Sequence, residues 1–179
     1  MPALRKALSL LLVVPFLLAA VPPAGAAPAP KRITRIHVVK STHLLELFAG
    51  DELVASYVAS LGPGGAGPKT REGDRVTPVG RYHVIMHQPS EYRVFLRLDY
   101  PNAADRARFA DLKKKGVLPA HATIGGDIGI HGPPIRLEDE DKRALQGQDW
   151  TLGCVAVMDD EIRDIARRVP DGTPVDIED

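Results

Sequence analysis

The chain has 179 residues, 23 basic against 23 acidic, with 44% hydrophobic and 26% charged side chains. That is an ordinary globular composition, which argues against wholesale disorder, and the length holds one domain with a real core. The neutral balance, without a Lys/Arg block interleaved with aromatics, argues against nucleic acid as a partner. The single cysteine excludes an internal disulfide, a four-cysteine zinc site and an Fe–S cluster.

The first 26 residues read as an export address. Arg5 and Lys6 precede an apolar run of 15 residues, Ala7 to Val21, which leads through Pro22-Pro23 to Ala24-Gly25-Ala26. This is the pattern of a secretory signal; it is short for a bilayer span of about 20 residues, and Pro15 interrupts it. The expected organisation is a signal peptide over 1–26, a linker over 27–32 and one domain over 33–179. An uncleaved N-terminal anchor is the other reading. Export makes the lone cysteine informative, because an unpaired thiol in an oxidising compartment is either buried and inert or reactive.

Residues 33–40 are rich in β-branched side chains and read as a strand. Residues 43–48 and 53–58 form a hairpin around Gly50-Asp51. A flexible loop with five glycines covers 61–77, and strands follow at 80–87 and 92–98. Ala103 to Lys115 reads as a helix packed through Phe109 and Leu112 and stopped by Gly116. A short Gly-flanked strand holds Asp127 to His131, and the charged stretch 137–146 suits a short exposed helix. The helix at 159–169 has Asp159 or Asp160 as its cap. It buries Ile162, Ile165, Ala166 and Val169 on one face and sets Arg167 and Arg168 at its C-terminal end. Thr173 to Ile177 is a closing strand. The expected class is mostly β with two or three short helices.

Three patterns bear on chemistry. Gly62 to Thr70 nearly matches a phosphate loop, but Pro68 breaks the G-K-[ST] spacing and removes an N–H donor, so a nucleotide site is not expected. His83 and His87 share a strand face, yet no third ligand lies nearby in sequence, so neither a metal nor a cofactor is expected. His131-Gly132 and Gly153-Cys154 are different. A nucleophilic cysteine needs a base and backbone donors for an oxyanion. Gly129 and Gly132 remove bulk around His131, and Gly153 lets the backbone before Cys154 turn.

At these residues the sequence resembles the YkuD-type L,D-transpeptidases of bacterial cell walls. The family signature, His-Gly followed by Ser/Thr-x-Gly-Cys and a hydrophobic residue, stands here as His131-Gly132 and Thr151-Leu152-Gly153-Cys154-Val155. The 19 intervening residues between His131 and Thr151 reach or slightly exceed the usual gap, with 137–146 as the insertion. Gly73-Asp74-Arg75-Val76-Thr77-Pro78-Val79-Gly80-Arg81-Tyr82, Tyr100-Pro101-Asn102, the strand from Gly125 to Gly132, and Asp149-Trp150-Thr151 also match in order.

The resemblance implies an L,D-transpeptidase-like β-sandwich or barrel in the periplasm or cell envelope. Cys154 would be the nucleophile and His131 its proton donor and acceptor, oriented by the Gly132 carbonyl. Gly153, Thr151 and Trp150 would line the site, with the Gly153 and Cys154 N–H groups receiving the oxyanion. The partners implied are peptidoglycan stem peptides as donor and amine acceptor, or a wall-anchored protein, with no nucleic acid and the membrane met only through the signal peptide. The acyl-enzyme leads either to transfer onto an amine or to hydrolysis, as an L,D-carboxypeptidase or an amidase. A wall-binding module without catalysis and an exported metalloprotein are the other classes. Two departures stand out: Ala156 replaces an Arg found in many members, and Leu152 replaces a His or Ser. His121 reads as structural rather than as a replacement.

Overall fold

The computed structural model describes residues 31–179. The expected leader over 1–26 and residues 27–30 of the expected linker lie outside them. No helix among the described residues is long and apolar enough to cross a membrane.

Eight strands form one mixed sheet in the order β3-β2-β1-β8-β4-β5-β6-β7. They are β1 (Arg35–Val39), β2 (Leu44–Ala49), β3 (Glu52–Val58), β4 (Gly80–Ser90), β5 (Arg93–Leu98), β6 (Gly129–His131), β7 (Val155–Ala156) and β8 (Pro174–Glu178). Alternation decides which face is packed. Ile36 and Val38 of β1, Leu45 and Leu47 of β2, Tyr82 and Val84 of β4, and Val175 and Ile177 of β8 are all buried in one core.

β4 serves both halves of the sheet. Gly80 to His83 pair with β8, and Val84 to Ser90 pair with β5 across an irregularity between Val84 and Met86. A bulge bends a strand in this way. Beyond β3, Ser60 bridges Ala156 of β7 through two backbone hydrogen bonds of 2.7 and 2.8 Å. The two outer edges of the sheet therefore meet, curling it into a half-barrel.

Three short helices complete the fold: α1 (Ala103–Lys114), α2 (Asp139–Leu145) and α3 (Asp159–Arg168). α3 packs on β5 through buried Ile162 and Ile165. Its cap differs from the expectation. Met158 occupies the N-cap, and its N–H donates to Glu161 at 2.7 Å. Asp159 is instead engaged by Arg93 at 2.5 Å and Lys142 at 3.1 Å.

α1 also departs from the expected packing. Phe109 and Leu112 are only half-buried, and the helix docks through Asp105, which is buried and accepts from the Tyr82 hydroxyl at 3.2 Å. Nor is α2 simply exposed, because Lys142 is buried against Asp159. The glycine-bearing loop is tied down rather than free. Gly67 N–H donates to the Asp179 carboxylate at 2.8 Å, and Lys40 joins Asp179 at 2.6 Å and the Gly67 carbonyl at 3.2 Å.

Candidate active site

β6 and β7 run parallel with Ile130 opposite Val155 and His131 opposite Ala156. Cys154 immediately precedes β7, and residues two apart along a strand share a face. Cys154 is therefore brought to the side on which His131 lies. Both line a cleft of about 780 Å³ with Tyr92, Phe95, Trp150 and Lys69.

His131 is buried, with Nδ1 2.7 Å from the Gly132 carbonyl oxygen. A carbonyl can only accept, so Nδ1 is assigned the hydrogen and Nε2 keeps its lone pair. Three rings surround the imidazole. Tyr92 lies at 4.4 Å between centroids, Phe95 stacks at 5.7 Å and Trp150 meets it edge-on at 5.8 Å. Burial pushes the His131 pKa down, opposed in part by the bond to Gly132. A pKa lowered from 6.5 favours the neutral ring at pH 7.

The Cys154 thiol opens onto the cleft but is otherwise enclosed. Burial pushes its pKa up to about 11, with Asp127 adding to the rise and the Gly129 backbone, Lys69 and Arg97 opposing it. The thiol contacts the Asp127 carbonyl oxygen at 3.5 Å. A pKa raised this far favours the protonated thiol at neutral pH.

Two threonines fix the turn that carries the thiol. Thr151 Oγ1 donates to the Cys154 carbonyl at 2.8 Å and accepts the Gly153 N–H at 3.1 Å. Buried Thr77 donates to the same carbonyl at 3.4 Å and accepts the Gly62 N–H at 2.9 Å. Gly153 has φ +127°, and a Cβ there would lie 2.8 Å from the Val76 carbonyl oxygen. Only glycine meets both conditions without strain. At Gly129 the reason is close approach, because a Cβ would fall 2.5 Å from the Phe95 ring.

Of the residues singled out in the sequence, Cys154, His131, Thr151 and Trp150 line one cleft, and the Gly132 carbonyl holds His131. Gly153 has its N–H engaged by Thr151. Leu152 is 75% exposed at the cleft wall, while His121 is exposed on the segment after α1. His83 and His87 pair with separate carboxylates, Asp99 at 3.3 Å and Asp171 at 2.6 Å. Among the described residues no group of three or more His, Cys, Asp or Glu side chains is arranged to hold a metal.

Sequence reasoning missed Tyr92, Phe95, Asp127 and Arg97 as parts of the cleft. Nothing local marks them, since strand pairing brings them in. Lys69 was legible only as part of a broken phosphate loop, whereas it is buried and paired with Asp74 at 2.6 Å.

A sequence profile of the YkuD family, described as the L,D-transpeptidase catalytic domain, matches residues 33–177. Over 137 residues the sequence is 37% identical to YafK of Escherichia coli strain K12, a protein assigned by name to the L,D-transpeptidases. That match covers 73% of this chain and 44% of YafK, so the chain spans less than half the length of this relative. The helical cell shape determining protein Pgp2 of Campylobacter jejuni has the same fold, with TM-score 0.61 and 23% identity over 83% of this chain and 48% of that one. An L,D-transpeptidase from Xylanimonas cellulosilytica gives TM-score 0.52 at 16% identity, covering 84% of this chain and 62% of that one.

Proposed function

The chain belongs to the YkuD family of L,D-transpeptidase catalytic domains, and on that premise we propose that it is an exported cysteine acyltransferase acting on peptidoglycan stem peptides. The observation that carries this reading is that an oriented imidazole and the chain's single thiol line one cleft.

The chemistry follows from the protonation states. His131 Nε2 takes the Cys154 proton as sulfur attacks the carbonyl between the diamino acid and the terminal D-alanine. The tetrahedral intermediate collapses, the C–N bond breaks, and the imidazolium returns the proton to the departing amine. A thioester remains on Cys154. An amine from a second stem, or from a wall-anchored protein, then attacks it and gives a proton to Nε2. The C–S bond breaks, and that proton goes back to sulfur.

The Gly153 N–H is already held by Thr151 Oγ1, so an oxyanion would have to compete for it. The Cys154 N–H is the better donor for that charge. Trp150, Tyr92 and Phe95 keep water from the imidazole and wall the acyl pocket. The N-terminal signal would deliver the protein to the periplasm or cell envelope, where a change in crosslinking bears on cell shape, the property for which Pgp2 is described.

Incubation with a disaccharide tetrapeptide followed by chromatography tests the reading. Release of D-alanine with a crosslinked dimer, both lost in Cys154→Ala, is the expected result. Tripeptide without dimer would make the protein a hydrolase of the same bond, with water in place of the amine. Intact tetrapeptide after incubation with folded protein would overturn the reading.

A further inference from the structure

We infer that Lys69 is a positioning residue for the Cys154 nucleophile, its ammonium held beside the turn that carries the thiol so that it favours the thiolate as the proton leaves. This rests on the reading of Cys154 as the nucleophile.

Lys69 is only 5% exposed, yet it lines the same cleft as Cys154. Its Nζ is 3.5 Å from the point where a side chain on Gly153 would begin. The ammonium thus stands at van der Waals distance from the turn that carries the thiol. Asp74 anchors the ammonium at 2.6 Å. That carboxylate is itself fixed by the N–H groups of Thr70 at 2.8 Å, Arg71 at 3.0 Å and Val76 at 3.0 Å. The ammonium is therefore held in place rather than free to sample the cleft. An ammonium has three N–H donors, and among the described residues Lys69 directs one of them to Asp74.

A buried ion pair is weak support for stability, since desolvation offsets most of the attraction. Its location suggests a different role. Position 156, opposite His131, is a buried Ala and places no charge there. The other charges acting on the thiol, Arg97 and Asp127, are paired with each other. His131 is neutral, and the Tyr92 phenol, whose pKa burial and Glu91 raise, is uncharged at working pH. Glu72, Arg75, Glu91 and Arg136 also line the cleft, with Arg136 paired to Glu91 at 3.7 Å; of the cleft's charged groups Lys69 alone is buried.

Alkylation by iodoacetamide reads Cys154 alone, because the chain has one cysteine. The pH–rate profile of the purified protein would be compared with those of Lys69→Met, Lys69→Arg and Asp74→Asn. Loss of the cation moves the Lys69→Met profile up by about one pH unit, roughly a tenfold slower reaction at pH 8, and Lys69→Arg restores it. Asp74→Asn leaves the cation without its counter-charge and makes alkylation faster. A purely structural role would slow or spare both variants alike. An unchanged Lys69→Met profile on folded protein overturns the inference. Should Lys69→Met not fold, Asp74→Asn decides, and an unchanged or slower rate there overturns it. No peptide substrate is involved, so failure here is distinct from failure to process the tetrapeptide.

Discussion

The imidazole of His131 lies parallel to the Phe95 ring, with 13° between planes and 5.7 Å between centroids. That stack depends on Gly129, two residues earlier, whose missing side chain leaves room for the ring. Gly129→Ala would set a methyl 2.5 Å from Phe95 and 2.6 Å from the Leu96 carbonyl oxygen. The strand or the ring has to shift, and a shift of about 1 Å at a reacting group costs roughly a hundredfold in rate. The expected outcome is a folded protein, by circular dichroism, whose rate of acylation by a carbapenem falls by about that factor. A variant within twofold of the parent would show that the stack does not position the base.

The thiol and the imidazole give opposite pH signatures. Folding raises the Cys154 pKa from 9.0 to about 11, so the folded state favours the protonated thiol. That contribution is complete below 9.0 and is lost as pH rises through about 11. The shift corresponds to about 2–3 kcal/mol. Urea denaturation of the parent and of Cys154→Ala isolates it, because other titrating groups cancel in the difference. The parent is expected to lose stability relative to Cys154→Ala between pH 9 and 11, and a constant difference contradicts the assigned burial.

For His131 the sign reverses. Its folded pKa is depressed, so its contribution to stability is present above 6.5 and is lost as pH falls through the folded value. In the proposed mechanism the neutral ring takes the thiol proton, so the acid limb of the acylation rate is expected below pH 6.5. A limb above that value would mean an imidazole that is charged in the resting site.

Lys142 ties the segment between the two signature motifs to the rest of the domain. It is buried and reaches Asp159 at 3.1 Å, beside Arg93. Burial pushes the Asp159 pKa up, but Arg93 and Lys142 outweigh it and hold it low. Lys142→Met removes one charge-assisted bond, and the expected loss is about 1.5–3 kcal/mol in urea denaturation. A change under about 0.5 kcal/mol would class the contact with surface pairs.

Ala156→Arg, which would set a cation opposite His131, is expected to harm. Position 156 is 2% exposed and locked to Ser60 by two backbone hydrogen bonds. Overpacking together with an unpaired buried charge is expected to cost about 3 kcal/mol or more. Thermal denaturation checks it, and a Tm equal to the parent's would show that the site has room for a second cation.

The sequence carried the strands well because their apolar residues alternate, and it carried α3 because Ile162 and Ile165 sit one turn apart on the face that is buried. It misled on α1, where Phe109 and Leu112 suggested an apolar face but the helix docks through Asp105 and Tyr82. A buried carboxylate paired across 23 residues leaves no local pattern. The expected cap on α3 failed for a related reason: Asp159 is drawn to Arg93 and Lys142, which meet it only in the folded chain. At the site, the glycines flanking His131 and preceding Cys154 were legible because they stand in the same short motifs. The ring stack on His131 and the Lys69–Asp74 pair were not, since each joins segments that only the sheet or a tied loop brings together.

The central claim is that Cys154 becomes acylated by a stem peptide. Intact-mass spectrometry of the protein mixed with a disaccharide tetrapeptide tests it directly. The account predicts an adduct equal to the tetrapeptide less D-alanine, present on the parent and absent from Cys154→Ala. Folded protein with a titratable thiol and no adduct under the same conditions would contradict it.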